Sequence, residues 1–128
     1  VYDGKTVPVR LGFVRPVRVV PDFFAFEQTL RNGVYVTAGD VTGDGFADLI
    51  FGGGPGGGPR VRVADGRALF LAGTVSNLDD PSAAALTIVN FFADTPLFTQ
   101  GVRVAAKDLD GDPFADIVTG VPTDTGST

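Results

Sequence analysis

The stretch Asp40-Val-Thr-Gly-Asp44-Gly-Phe-Ala-Asp48 returns 68 residues later as Asp108-Leu-Asp-Gly-Asp112-Pro-Phe-Ala-Asp116, so a chain of 128 residues carries one acidic loop twice. The repetition runs beyond the loops: Phe23-Phe24-Ala25 matches Phe91-Phe92-Ala93, and 14 of the 30 positions in 23–52 are identical to those in 91–120. A period of this size belongs to stacked or radially arranged supersecondary units, each of which buries its apolar face against the next. Upstream, residues 1–5 align with 63–67 at an offset of 62, which places a six-residue insertion in the second copy near 76–85.

Between the turn signals the chain reads as strands. Val34, Val36 and Ala38 alternate with Tyr35 and Thr37, and Val61 and Val63 alternate with Arg60 and Arg62, which is the period of half-buried β-structure. Short strands are expected to leave the two loops at 47–51 and 115–119, with further strands at 67–73 and 86–92. The segment 7–20 alternates and then changes phase near Val14 and Pro16, as at a bulge or a sheet edge. Residues 52–59 hold six Gly and two Pro and form a turn-rich connection. No segment shows helical periodicity, so the expected class is all-β with antiparallel strands. Apolar residues make up 44% of the chain, 11 of them Phe, enough for a core.

Composition removes much chemistry. With no Cys, His, Met or Trp, the chain has no disulfide, no thiolate or imidazole metal site and no Ser-His-Asp triad. The Gly-rich stretch lacks the Lys-Ser/Thr and the helix of a phosphate-binding loop. Paired carboxylates can serve a glycosidase, but carboxylates two residues apart and facing one centre suit a cation better, so no enzymatic activity is expected. The net charge is −5, and seven of the 15 acidic residues lie in the loops, leaving 8 acids against 10 bases elsewhere. A nucleic-acid partner would need a basic footprint, which is missing. No apolar run reaches the length of a membrane span.

Each loop offers oxygens at its first, third, fifth and ninth positions with the seventh carbonyl between them, the pattern that surrounds a hard cation such as calcium. The expected ligands are Asp40, Thr42, Asp44 and Asp48 with the Phe46 carbonyl, and Asp108, Asp110, Asp112 and Asp116 with the Phe114 carbonyl. Two calcium ions per chain would bring the charge from −5 to −1. An EF-hand would carry Glu at the twelfth position, where this chain has Phe51 and Thr119. Asp and Gly also form ordinary solvated turns, but recurrence of the full spacing favours the cation. Pro113 replaces Gly45 in the second loop and fixes φ near −65°.

The first acidic loop followed by Phe51-Gly52-Gly53-Gly54-Pro55 resembles the FG-GAP repeat family, related to the calcium-binding propeller blades of integrin α-subunits and to bacterial surface proteins. The resemblance implies four-stranded antiparallel β-propeller blades, calcium in the loop between the first two strands of each blade, and no catalytic activity. On that frame, residues 1–32 are the outer part of one blade, 33–100 a complete blade, 101–121 the inner strands of another and 122–128 a Thr-rich tail. The propeller is not closed within the chain. Exposed sheet edges invite pairing, so copies of the same chain are the expected partners, 1–25 of one with 101–120 of the next, in a ring or a filament. The alternative is a fragment of a larger surface protein that binds a protein or a glycan. Val1 falls inside a repeat unit without an initiator Met, which gives the expectation of a processed or partial product, and calcium chemistry places it outside the cell. Phe23, Phe24, Phe91 and Phe92 are expected to pack in the core.

Overall fold

The computed structural model describes Val1 and residues 18–122. Strands β1 (Val34–Gly39) and β2 (Asp48–Gly53) form on either side of the first acidic loop, followed by β3 (Arg60–Ala64), helix α1 (Gly66–Ala72), a 3-10 helix (Pro81–Leu86), β4 (Thr87–Phe92), β5 (Arg103–Lys107) and β6 (Asp116–Gly120). The first four strands make an antiparallel sheet in the order β1-β2-β3-β4, and β5-β6 make a separate two-stranded sheet. In the first hairpin Val34 lies opposite Gly53 and Gly39 opposite Asp48, while in the second Arg103 lies opposite Gly120 and Lys107 opposite Asp116. The 68-residue repeat is therefore kept in strand register as well as in sequence. The expected strand at 7–20 falls mostly outside the described residues.

Residues 67–73, expected as a strand, form α1 instead. Asp65 caps the helix by accepting from the Ala68 amide at 3.1 Å, and Arg67, Ala68, Leu69, Leu71 and Ala72 are residues that lose little freedom in a helix. A helix of two turns that buries only Leu69 leaves no readable period. The molecule is thus mostly, not wholly, β. The insertion near 76–85 holds the 3-10 helix, started by Pro81 and capped by the Asp80 carboxylate, which accepts from the Ser82 amide at 2.9 Å.

Each face of the four-stranded sheet has its own cover. On one face Ile50, Val61 and Val63 are fully buried beneath Val102, Val104, Ala106 and Ile117 of the second hairpin. The backbones approach closely because Gly52 has no side chain: a Cβ there would collide with the Val102 carbonyl oxygen, and one at Gly39 would lie 2.8 Å from the Ala106 Cβ. The Val102 amide donates to the Gly53 carbonyl at 2.9 Å across the same junction. On the other face Phe51 and Ala64 pack with Ala25, Phe26, Leu69, Leu78 and Ala83.

Arg62, which alternation puts on the polar side of β3, is only 4% exposed. Its Nη1 donates to the Ala25 carbonyl at 2.7 Å and its Nη2 to Asp79 Oδ1 at 2.7 Å. Arg60 adds Nη2 to Asp79 at 2.6 Å and Nη1 to Glu27 at 2.9 Å, and both guanidinium groups lie over the Phe26 ring. The two arginines thereby clamp the segment before β1 and the insertion to the sheet. Among the aromatic pairs, Phe23 meets Phe51 edge-on at 5.8 Å, whereas Phe24, Phe91 and Phe92 stand more than 40% exposed, so core packing holds for Phe23 alone.

Two outcomes follow from this packing. Gly52→Ala is expected to destabilise the fold by about 1–3 kcal/mol in chemical denaturation, since the backbone contact must open. Burial works against ionisation of Asp79, but hydrogen bonds and charge from Arg62 and Arg60 outweigh it and hold its carboxyl below the ordinary value of 3.8. Its contribution is therefore present above pH 3.8 and is lost as pH falls through the lowered folded value. Asp79→Asn is expected to melt well below wild type at pH 7 and to converge with it in acid; a constant gap in melting temperature would overturn the assignment.

Candidate metal site

Both acidic loops close on backbone amides, but they close differently. In the first, Asp40 Oδ1 accepts from the Gly43 amide at 2.7 Å, the Asp44 amide at 3.2 Å and the Thr42 hydroxyl at 3.3 Å, and its Oδ2 accepts from the Gly45 amide at 2.8 Å. Burial works against its ionisation, but the bonds from Gly45, Gly43, Thr42 and Asp44 together hold the carboxyl below its ordinary value. Asp48 is fully buried: Oδ2 accepts from the Val41 and Thr42 amides at 2.9 and 3.2 Å, and Oδ1 accepts from the Gly66 amide at 3.1 Å. Asp44 Oδ1 accepts from the Phe46 amide at 2.9 Å.

In the second loop Asp108 Oδ1 accepts from the Gly111 amide at 2.7 Å, as Asp40 does from Gly43, and from the Asp110 amide at 3.2 Å, whose counterpart in the first loop, the Thr42 amide, donates to Asp48 instead. The bond to the other oxygen has no counterpart, because Pro113 stands at the place of Gly45 and has no N–H to give. Gly45 sits at φ +87°, a conformation that the proline ring forbids, so the two loops part at this residue. Asp110 also replaces Thr42, exchanging a hydroxyl that donates to its neighbour for a fourth carboxylate. Asp116 Oδ2 accepts from the Leu109 amide at 2.8 Å.

The outcome is a convergence in the second loop. Asp108, Asp110 and Asp116 each bring a carboxylate oxygen within 4.8 Å of the others, and among the described residues this is the only such group of three or more acids. Asp40, Asp44 and Asp48 do not come together in this way. Asp112 stands aside from the triad with its Oδ1 accepting from the Phe114 amide at 3.0 Å. That bond pulls the Asp112 carboxyl down, but desolvation and the neighbouring Asp110 and Asp116 together hold it above its ordinary value. Desolvation and crowded negative charge together are the physical cause.

The loops also touch each other. The Phe114 ring covers Gly43, where a Cβ would lie 2.5 Å from the ring, and the Ala115 amide donates to the Asp40 carbonyl at 2.7 Å. Phe46, the counterpart of Phe114, is half exposed with the Arg67 guanidinium 5.4 Å from its ring centre. The spacing of oxygens marked the acidic positions, but not which loop gathers its carboxylates. The signal for that lay in the Pro113 and Asp110 replacements.

No family model matches the chain, and neither does any curated protein or solved structure.

Gly45→Pro is expected to cost at least about 1 kcal/mol in denaturation, since it forces a positive φ on proline and removes the donor to Asp40. Pro113→Gly is expected to change stability far less, and equal losses in the two variants would contradict the different closure of the loops.

Proposed function

We propose that the chain is a non-catalytic, calcium-binding structural module of FG-GAP type that works at the cell surface or outside the cell and assembles head to tail with copies of itself. The observation that carries the metal reading is the convergence of Asp108, Asp110 and Asp116 within 4.8 Å in a loop that recurs in strand register 68 residues earlier. The donor set fits the ion: all three groups are hard carboxylate oxygens, and their mutual repulsion is relieved by a divalent cation. Asp108, Asp110 and Asp116 would hold it, and the ion would fix a turn between two strands without taking part in any reaction. The first loop, where amides hold both oxygens of Asp40 and both of Asp48, is the weaker site.

The antiparallel four-stranded sheet with a second hairpin stacked on its face supports the blade-type reading of residues 33–100 and 101–121. Among the described residues no helix is long and apolar enough to cross a membrane. Residues 1–25 and 101–120 remain the proposed partners in self-association.

Calcium binding to the folded chain alone raises stability by about 2.7 kcal/mol at a hundredfold excess over the dissociation constant. The melting temperature is therefore expected to rise with calcium and to fall back with chelator, and Asp108→Asn with Asp110→Asn to abolish that response. Asp44→Ala is expected to reduce it less. A melting temperature indifferent to calcium in the wild-type chain would sink the reading.

A further inference from the structure

The second hairpin packs on the first sheet through parts that both repeats possess. Val102 and Val104 lie over Gly52, and the Phe114 ring lies over Gly43. Their counterparts 68 residues earlier, Val34, Val36 and Phe46, are identical in type and stand 44%, 59% and 52% exposed. Gly120 and Gly111 correspond to Gly52 and Gly43, and a Cβ on either would meet nothing within 4 Å. Val118, the counterpart of the fully buried Ile50, is 42% exposed. One end of the molecule thus presents the covering half of an interface seen inside the chain, and the other end presents the covered half.

The covering end also holds a place for a partner. A groove of about 470 Å³ runs between β1 and the segment before it, lined by Phe23, Phe24, Val34, Val36 and Phe51 among others. At its border the Val19 amide donates to the Val1 carbonyl at 2.8 Å and the Val1 amine to the Val20 carbonyl at 3.3 Å. Val1 aligns with Val63 of β3, so this pairing is a short counterpart of β3 with β4.

We propose that this groove receives the β5-β6 hairpin of a second copy, with Val34, Val36 and Phe46 of one molecule covering Gly120, Val118 and Gly111 of the next. The proposal rests on the reading of the chain as a self-assembling module and gives that reading its contact surface. Such a contact is heterologous, so each molecule keeps one free face of each kind and growth continues until a ring closes. Lys107 stands where Gly39 admits Ala106 and Ala115, so the junction is looser at that point than its internal model, and Lys107→Gly is expected to tighten association.

The test uses the full chain in calcium, with mass measured by sedimentation. Gly120→Val fills the covered face and Val36→Glu charges the covering face; neither alters a packed position, so both variants are expected to match the melting temperature of wild type diluted until it dissociates, and to keep its calcium response. Wild type is expected to form higher oligomers and each variant to remain monomeric. An equimolar mixture of the two is expected to double in mass and stop there, since only one intact pair of faces remains. Variants that associate as wild type does would overturn this interface while leaving the module reading intact. A wild-type chain that stays monomeric at millimolar concentration overturns both the interface and self-assembly, and a missing calcium response strikes the metal reading alone.

Discussion

The close backbone contact between the two hairpins governs this structure. Gly52 admits the Val102 carbonyl, Gly39 admits Ala106, and Ile50 disappears beneath the second hairpin. Interiors at native density respond to even one added methylene, so the glycines fix how near the two sheets lie. That distance sets which side chains of the second hairpin reach the first, and it brings the two acidic loops side by side.

Loop chemistry then depends on how many carboxylate oxygens the backbone leaves free. In the first loop amides from Gly43 and Gly45 hold both oxygens of Asp40, and the helix that follows β3 supplies the Gly66 amide to Asp48. Such a loop satisfies its own charge. In the second loop a proline withdraws one donor and an aspartate replaces a hydroxyl, so negative charge gathers instead of being dispersed. Two stretches with nearly the same spacing thus reach different electrostatic states through two replacements.

Much of this was legible in the residues. The 68-residue period fixed the hairpin pairs, and the alternation through Val34–Val36 and Val61–Val63 located their strands, because period two survives wherever one face is buried. Helix α1 was not legible, since seven residues give no reliable period and its capping Asp65 falls among many turn-forming Asp and Gly residues. The burial of Arg62 was not legible for a deeper reason. Alternation identifies an outward face but does not tell whether another segment covers it, and here the chain before β1 and the insertion supply the cover together with the Asp79 counter-charge. The acidic positions of the loops were written in their spacing, whereas the difference between the loops lay in two replacements whose effect only hydrogen-bond geometry displays.

The Ala115 amide bonded to the Asp40 carbonyl, with the Phe114 ring on Gly43, makes a mechanical joint between the loops. Stiffening either loop removes freedom from the other, so the entropy of ordering is shared. Whatever binds one loop must then find the other already partly ordered, and linkage requires the effect to be equal in both directions. A joint built from one hydrogen bond and one ring thus makes the order of one repeat a condition of the order of the next.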